Sequence, residues 1–341
     1  MNKVHPHRAI IEPVAEAHPR PLWSVMIPTY NCAKYLQETL KNVLAQDPGS
    51  DLMQIEVVDD CSTKDDPEAV VKEVGKGRVS FYRHPQNVGY IKNFNTCLQR
   101  SRGKLVHLLH GDDGVRYGFY QKMQQAFETN PEIGAAFCRH IAINENSHWQ
   151  YLWGLEQPKS GVLDNWLEKI ATGNRLQPPS VVVKRDVYQH LGGFDSRISC
   201  CAEDWEMWVR IAAYYPVWYE VEPLALYRVH SKSLTGRCAR TGQNVRDLRN
   251  IIDIIQSYLP PDIYSEIYHK ARENSAIYAI KYIAPQLIRT GNISPVLIQI
   301  QEALKCSQSL TVIKEIPYSI METGRIVLRK IVKDLGLYAP K

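Results

Sequence analysis

Short apolar runs alternate with amphipathic segments over the first part of the chain. The segment 33–46 places Leu36, Leu40 and Val43 at spacings of three and four, which is typical of a helix with one buried face. Apolar runs predict strands at 24–27, 54–58, 79–82, 105–109 and 133–138, and amphipathic spacing predicts helices at 33–46, 68–74, 90–99 and 119–129. This regular alternation predicts an α/β fold with a mostly parallel sheet flanked by helices.

The pattern changes toward the C-terminus. A strand at 180–183 and a helix at 204–214 are the last elements of the alternating kind, and Pro260, Pro261 and Pro285 interrupt the helical pattern that follows. Residues 1–21 carry four prolines without periodicity, which predicts an extended arm. We therefore predict an N-terminal arm at 1–21, an α/β domain at 22–235 and a helical region at 236–341 whose helices cover 243–259, 262–283 and 293–305.

Composition and charge narrow the class of protein. With 44% apolar residues in 341, the chain is neither collagen-like nor wholly disordered. A net charge of +5 from 41 basic and 36 acidic residues is too mild to indicate a nucleic-acid partner. We find no apolar run that could cross a bilayer, no secretory signal and no CxxC pair among the eight cysteines. These features predict a cytoplasmic protein whose thiols are reduced and mostly buried.

Acidic pairs follow two of the predicted strands. Asp59 and Asp60 follow the second strand, and Asp112 and Asp113 follow the fourth. Ligands of open parallel sheets bind at the carboxyl ends of strands, and adjacent carboxylates repel unless a cation or strong donors stabilise them. For one pair alone, turn or helix-cap chemistry is the favoured explanation, but two pairs at equivalent strand ends favour a site. Because the chain lacks GxGxxG and P-loop motifs, Mg²⁺ or Mn²⁺ held by carboxylates remains the route to phosphate binding.

A series of short motifs resembles the glycosyltransferases of family 2, which have the GT-A fold. In order, the motifs are Pro28-Thr29-Tyr30-Asn31, Val57-Val58-Asp59-Asp60-Cys61-Ser62, Asn87-x-Gly89, Gly111-Asp112-Asp113, Gly192-Gly193-Phe194-Asp195, Glu203-Asp204-Trp205 and Tyr227-Arg228-Val229-His230. The resemblance covers about residues 22–235 and implies a GT-A type, Rossmann-like sheet. It implies an inverting enzyme that moves a sugar from a nucleotide-diphosphate donor to an acceptor hydroxyl of a glycan or a lipid-linked molecule, in polysaccharide or glycolipid synthesis.

The resemblance also implies roles for individual residues. The implied donor-binding residues are Pro28, Thr29, Tyr30, Asn31, Asp59, Asp60, Asn87, Gly89, Lys92, Asn93 and Asp112. The implied ligands of Mg²⁺ or Mn²⁺ are Asp112, Asp113 and His230. The family's DxD motif has His110 in place of its first Asp here, so the share of each acid in metal binding stays open. His110, as a ligand or a buried structural histidine, and Arg228, as a cation near the leaving phosphate, are secondary candidates.

The catalytic prediction concerns Asp204. Displacement at an anomeric carbon needs a base for the proton of the acceptor hydroxyl, and the family places that base at the second acid of the Glu203-Asp204 pair. The alternative is that both acids only stabilise the first turn of a helix. Two other classes stay open: a nucleotidyltransferase, although the Gly-rich basic loop expected after the first strand is absent, and a non-catalytic binder of nucleotide sugars or glycans.

The C-terminal residues predict a cationic amphipathic helix. Leu328, Ile331, Val332 and Leu335 share one helical face, and Arg325, Arg329 and Lys333 flank it at spacings of four. Such a helix is typical of peripheral contact with an anionic membrane surface, here the inner leaflet. The alternative is a terminal helix that packs its apolar face on the domain.

Overall fold

The structure, a computed structural model, describes residues 6–15, 20–230, 234–287 and 293–334. The strands in this part of the chain are β1 (Trp23–Thr29), β2 (Met53–Asp59), β3 (Ser80–Arg83), β4 (Leu105–Leu108), β5 (Gly114–Val115), β6 (Ala135–Ile143), β7 (Trp149–Leu152), β8 (Gly161–Val162), β9 (Val181–Lys184) and β10 (Val217–Arg228). Helices α1 to α7 are Ala33–Leu44, Pro67–Gly75, Tyr90–Arg100, Phe119–Thr129, Trp166–Ala171, Arg185–Leu191 and Glu203–Ala212. Helices α8 to α13 are Leu234–Thr241, Gln243–Ile255, Pro261–Ile277, Ala284–Leu287, Ser294–Cys306 and Leu310–Asp334, with a π-helical turn at Tyr278–Ile283.

The strands form one sheet with the order β3-β2-β1-β4-β9-β6-β10-β5, to which β7 adds beside β6 and β8 beside β10. Strands β1 to β4 are parallel, with Thr29 opposite Asp59 and Met26 opposite Leu108. This register brings the carboxyl ends of β1, β2 and β4 to one edge of the sheet. The predicted α/β architecture is confirmed, and the loops that follow these three strands lie where ligands of such sheets bind.

The core explains why the sequence forms these elements. Every residue of β1 and β2 is buried, as expected for parallel strands covered on both faces, although Ser24, Gln54 and Glu56 interrupt the apolar runs. The predicted buried face of α1 packs on these two strands. Its residues Leu36, Leu40 and Val43 are fully buried in one cluster with residues of β1 and β2. Trp23 closes this cluster edge-on against Tyr120, at 5.1 Å between ring centroids.

Strands β6 and β10 depart from the sequence-based expectation. The strand predicted to end at Cys138 continues to Ile143, and β10 was not predicted because Glu220, Glu222 and Pro223 interrupt its apolar pattern. The parallel pairing of the two strands shifts register at Pro223, which has no N–H to donate. Glu220 is nevertheless buried, and its carboxylate accepts a hydrogen bond from the Ser160 hydroxyl at 2.8 Å.

Contacts divide the chain into two compact units. The first comprises the described residues up to Trp166 with Arg175–Arg197 and Arg210–His230, and the second comprises Leu167–Asn174, Ile198–Val209 and the described residues beyond His230. In the first unit, residues 6–15 pack through the buried Ile11, and the carbonyl of Ala9 accepts from the Gly193 N–H at 2.8 Å. The second unit is helical apart from its connecting segments.

One expectation about the cysteines is wrong. In the second unit, Cys200 and Cys238 form a disulfide with their Cα atoms 6.4 Å apart, a normal separation for such a bond. No spacing or motif indicated this pair, because a connection across 38 residues depends on where helix α8 lies. Of the free cysteines in the structure, Cys97, Cys138 and Cys306 are buried, as expected of reduced thiols in a core.

Candidate active site

The first acidic pair is satisfied by donors of the protein itself. Asp59 has no exposed surface, and its carboxylate accepts from the Ser62 backbone N–H at 3.0 Å and from Arg83 Nε at 2.7 Å. Asp60 accepts from the Val88 N–H at 2.7 Å and the Gly89 N–H at 3.1 Å. Burial raises the pKa of Asp60, and the two N–H groups limit that rise. The contacts of this pair fix the loops after β2 and β3.

The loop after β1 is joined to the loop after β2. Asn31 adopts a left-handed backbone conformation with φ of 52°, and its side-chain oxygen accepts from the backbone N–H groups of Thr63 and Lys64, both at 2.9 Å. Thr29, like Pro28, is buried, and its hydroxyl lies 2.7 Å from Cys32 Sγ. Tyr30 is 44% exposed, so its ring is the part of the Pro28–Asn31 motif that a ligand can reach.

The start of α3 carries the other residues implied in donor binding. Asn87 is exposed and donates through Nδ2 to the Asp60 carboxylate at 3.0 Å, and Gly89 precedes the helix with φ of +86°. Lys92 is exposed. Asn93 is 2% exposed and donates to the Val58 carbonyl at 3.1 Å, a contact that anchors α3 to β2. Lys92 is therefore open to a ligand, whereas Asn93 is enclosed by the protein.

The second acidic pair differs because it lacks enough donors. Asp113 is 2% exposed, and its Oδ1 accepts from the Arg228 backbone N–H at 2.8 Å, but its Oδ2 is buried without a hydrogen-bond partner. One ligand atom each of His110, Asp112 and Asp113 lies within 4.8 Å of the others. A buried carboxylate oxygen without a donor, close to a second carboxylate and an imidazole, fits a divalent cation.

The electrostatics of this cluster agree with that fit. Burial and the neighbouring Asp112 carboxylate raise the pKa of Asp113 well above its usual range. Burial also acts on Asp112, but the hydrogen bond from His230 Nε2 to its Oδ2, at 3.1 Å, and the charges of His110 and His230 hold its pKa below the usual value. Burial lowers the pKa of His110, which stacks on the Phe94 ring at 4.8 Å. The cluster therefore has an excess of acceptors that a cation would satisfy.

Arg228 is enclosed by the protein rather than open to a ligand. Its side chain is 1% exposed, and its Nε donates to the Asp112 backbone carbonyl at 2.7 Å. The remaining guanidinium contacts reach the Asn144 carbonyl at 2.9 Å, the Ser147 hydroxyl at 2.9 Å and the Glu38 carboxylate at 2.7 Å. These contacts hold the backbone beside the acidic pair, and the role of Arg228 near a leaving phosphate stays a prediction. Glu38, Asn144 and Ser147 belong to no motif, so no sequence signal pointed to them.

Asp204 lies in the second unit, in the first turn of α7 as predicted. It is 7% exposed, its Oδ2 accepts from Asn174 Nδ2 at 3.2 Å, and its Oδ1 accepts from the Trp205 N–H at 2.8 Å. Burial raises its pKa to about 6, and the hydrogen bond from Asn174 opposes that rise. Glu203 is also 7% exposed. A carboxylate with this pKa is ionised at neutral pH and still basic enough to take a proton.

Fold and site together define an α/β protein of the GT-A type. Its central sheet is mixed, parallel among β1 to β4 and between β6 and β10 but antiparallel at β9, and it is flanked by helices. The acidic pair Asp112 and Asp113 follows β4 at the edge where ligands of such sheets bind. Residues 24–192 match the model of the family described as glycosyl transferase family 2, and the chain belongs to this family. The resemblance seen in the sequence is thereby confirmed, and the chain is a glycosyltransferase by family.

A sequence relative is named a glycosyltransferase, and solved structures share the fold. A glycosyltransferase of Rickettsia prowazekii, RP339, is 26% identical over 238 residues, which cover 67% of this chain and 70% of the relative. S. aureus TarS 1-349 in complex with UDP-GlcNAc superposes with a TM-score of 0.61 at 14% identity and 93% coverage of both chains. The chain spans 53% of the longer TarS structure. The mannosyltransferase PcManGT from Pyrobaculum calidifontis, in complex with GDP-Man and Mn²⁺, gives 0.55 at 15% identity, covering 96% of this chain and 91% of that one.

Proposed function

We propose that this glycosyltransferase moves a sugar from a nucleotide-diphosphate donor to an acceptor hydroxyl with inversion at the anomeric carbon. The acceptor is a glycan or a lipid-linked molecule, and the product belongs to a polysaccharide or glycolipid made on the cytoplasmic side. The observation that carries this proposal is the acidic pair Asp112 and Asp113, because the buried Oδ2 of Asp113 has no hydrogen-bond partner and fits a divalent cation at a ligand-binding edge of the sheet. The similar structures hold UDP-GlcNAc or GDP-Man, which supports a UDP-sugar or GDP-sugar donor.

The residues of the first unit would bind the donor. Tyr30 offers an exposed ring to the nucleoside, and Lys92 offers an exposed ammonium group to the phosphates. Asp112 and Asp113 would hold Mg²⁺ or Mn²⁺, while His230 orients the Asp112 carboxylate through its hydrogen bond. When bound, the cation supplies positive charge that offsets the charge of the departing nucleoside diphosphate.

Asp204 is the proposed general base. Its carboxylate accepts the proton of the acceptor hydroxyl as the oxygen attacks the anomeric carbon and the bond to the diphosphate breaks. A pKa of about 6 leaves most of the group ionised at pH 7. The acidic first turn of α7 also belongs to a helix N-terminus, whose positive end favours the ionised form.

The first experiment screens nucleotide sugars for transfer and then tests the base. With an identified donor, Asp204→Asn should lower kcat by ~10²-fold or more while the donor Kd stays within about twofold, since a base acts on the acceptor. Asp186→Asn is the matched control, because Asp186 also lies in a first helical turn but has a side chain that is 74% exposed. NMR of the first product gives the anomeric configuration, and retention would contradict the proposal.

The competing hypothesis of a non-catalytic binder gives a different result. A binder would take up the nucleotide sugar in calorimetry with Mn²⁺, but would release no nucleoside diphosphate with any acceptor fraction. The non-catalytic hypothesis needs this test because His110 replaces the first acid of the family's DxD motif. Donor binding without turnover across glycan and lipid-linked acceptors would overturn the proposed transfer.

We also propose peripheral membrane contact through α13. The described part of this helix exposes apolar side chains, with Leu310 76%, Ile313 45%, Ile320 56% and Met321 49% exposed. These positions fall within one helical face. The side chains of the predicted apolar face, Leu328, Ile331, Val332 and Leu335, lie outside the part of the chain that the structure describes. None of the described helices is long and apolar enough to cross a bilayer. Such a face suits a helix that lies in the membrane interface.

Vesicle flotation tests this contact. The full chain should float with vesicles rich in anionic lipid at low salt, and a chain truncated before Gly324 should float less, because each basic residue near such a surface adds ~1 kcal/mol. Leu310→Ser with Ile313→Ser should also reduce flotation, whereas Leu297→Ser, at an exposed position on α12, should not. Equal recovery of all variants in the soluble fraction would overturn the membrane proposal.

A further inference from the structure

We infer that Asn174 is a positioning residue for the general base, and that its amide holds the Asp204 carboxylate ionised and oriented. This inference rests on the proposed function, because it assigns Asn174 to the same reaction. Asn174 belongs to no motif of the chain, and the family match ends at residue 192, before Asp204. The contact itself is the side-chain hydrogen bond of 3.2 Å from Asn174 Nδ2 to Asp204 Oδ2.

The segment that carries Asn174 is held in place independently of this contact. Helix α5 ends at Ala171, and the indole N–H of Trp205 donates to the Ile170 carbonyl at 2.6 Å, which joins the end of α5 to the start of α7. From α10, Asn274 Nδ2 donates to the Thr172 carbonyl at 3.0 Å. Both contacts lie within the second unit. The amide of Asn174 is therefore presented to Asp204 by an anchored turn.

The two oxygens of Asp204 have different surroundings. Oδ1 receives the backbone N–H of Trp205, which fixes it within the first turn of α7, and Oδ2 receives the amide of Asn174. Each carboxylate oxygen can accept a second hydrogen bond, so neither contact excludes an acceptor hydroxyl. With both oxygens held, the carboxylate cannot rotate away from one geometry, and fixed geometry is what a general base requires.

The groups near Asp204 include no cationic partner among the described residues, so the neutral amide of Asn174 matters for keeping the carboxylate ionised. Among the described residues, no Lys or Arg forms an ion pair with Asp204. Its neighbours include Glu203 and the Cys201 thiol, whose own pKa is raised by burial and then by Asp247, Glu203 and Asp204. Asp247 is engaged by the Ser199 hydroxyl at 2.9 Å and the Cys201 N–H at 3.1 Å. The indole of Trp208, on the same helix, also favours the ionised form of Asp204.

Loss of the amide should therefore change the pH dependence of the reaction. A hydrogen bond to a carboxylate stabilises its charged form, so Asn174→Ala should move the acidic limb of the kcat profile upward by about one pH unit from a wild-type midpoint near 6. With such a shift, the smaller ionised fraction of Asp204 alone should lower the kcat of Asn174→Ala about twofold at pH 7 and about fivefold at pH 6. The donor Kd should not change, because Asn174 acts on the base.

The experiment measures kcat from pH 5.5 to 9 for Asn174→Ala, Asn174→Ser and Asn174→Asp with a donor found by the screen. Ser retains a donor and should lie between wild type and Ala, while Asp removes the donor and adds charge, so its limb should move furthest. Asn274→Ala is the matched control, since it removes an amide of α10 that contacts the same turn at the Thr172 carbonyl and does not contact Asp204. Its profile should keep the wild-type midpoint.

Two results separate this inference from the proposed function. If Asp204→Asn is inactive but Asn174→Ala keeps the wild-type midpoint, Asp204 is the base and the role of Asn174 is refuted. If Asp204→Asn turns over normally, the proposed base itself is wrong. A deficit of Asn174→Ala that is equal at every pH, together with the same deficit in Asn274→Ala, would show a merely structural contact and would also refute the inference.

Discussion

Removal of the Arg228 guanidinium should weaken both the first unit and its acidic cluster. Arg228→Met keeps much of the side-chain volume but deletes every donor, which leaves the carbonyls of Asp112 and Asn144 without their partner. It also leaves the Glu38 carboxylate without its cation, at a position where Glu38 remains 38% exposed. The perturbation is local, because the side chain itself is 1% exposed and packed on the Tyr35 ring at 4.6 Å.

The magnitude follows from these contacts. A buried acceptor that loses its donor costs about 1–3 kcal/mol, and two carbonyls are affected, while the exposed share of Glu38 reduces the cost of the lost ion pair. We expect the free energy of unfolding to fall by about 2–4 kcal/mol, equivalent to a Tm lower by about 5–15 °C for a unit of this size. Because Arg228 fixes the backbone beside a proposed metal ligand, Mn²⁺ affinity should fall about 10–100-fold.

The assays are urea unfolding and calorimetric titration with Mn²⁺. Arg116→Met is the matched control: Arg116 is exposed and donates to the Pro223 carbonyl at 2.8 Å, so its loss should cost less than about 1 kcal/mol. Arg228→Lys keeps the charge without the planar fork and should lie between the two. If Arg228→Met unfolds at the wild-type urea concentration and binds Mn²⁺ as wild type does, the argument that this side chain holds the acidic loop is refuted.

Two further predictions concern the first unit. Asp112→Asn and Asp113→Asn should each abolish measurable Mn²⁺ binding in calorimetry and remove most transfer activity; normal turnover of both in metal-buffered assays would show that these acids hold no metal. Burial lowers the pKa of His107 to about 3, so the unfolded chain takes up a proton below about pH 6.5 and wild-type stability should fall by up to ~1.4 kcal/mol per pH unit from there toward pH 3. Urea unfolding at pH 7 and 5 should show a smaller loss in His107→Gln and an unchanged loss in His148→Gln, at an exposed position; equal losses in all three would refute it.

The strands β1 to β4 and the helices between them could be predicted because their apolar pattern reflects burial in the core. In β1 every residue is buried, and in α1 the periodic positions Leu36, Leu40 and Val43 are core positions, so periodicity and burial coincide. Strand β10 could not be predicted, since Glu220 is buried by a partner on another segment and Pro223 is accommodated by a shift of register. The Cys200–Cys238 disulfide could not be predicted for the same reason, because it depends on the tertiary placement of the two cysteines.

The candidate site shows the same division between local and tertiary information. Both acidic pairs follow strands, and the sequence pattern alone does not distinguish Asp59-Asp60 from Asp112-Asp113. The structure separates them by their donors: Arg83 and several backbone N–H groups satisfy the first pair, whereas the second retains a buried oxygen with no donor. Two pairs of the same residue type can thus have different roles: one stabilises a loop, and the other suits cation binding. The difference lies in the hydrogen-bond donors around each pair. A carboxylate that the fold buries without satisfying it imposes a cost that only a bound cation or a proton removes, and for this reason the second pair, rather than the first, is where we expect metal chemistry.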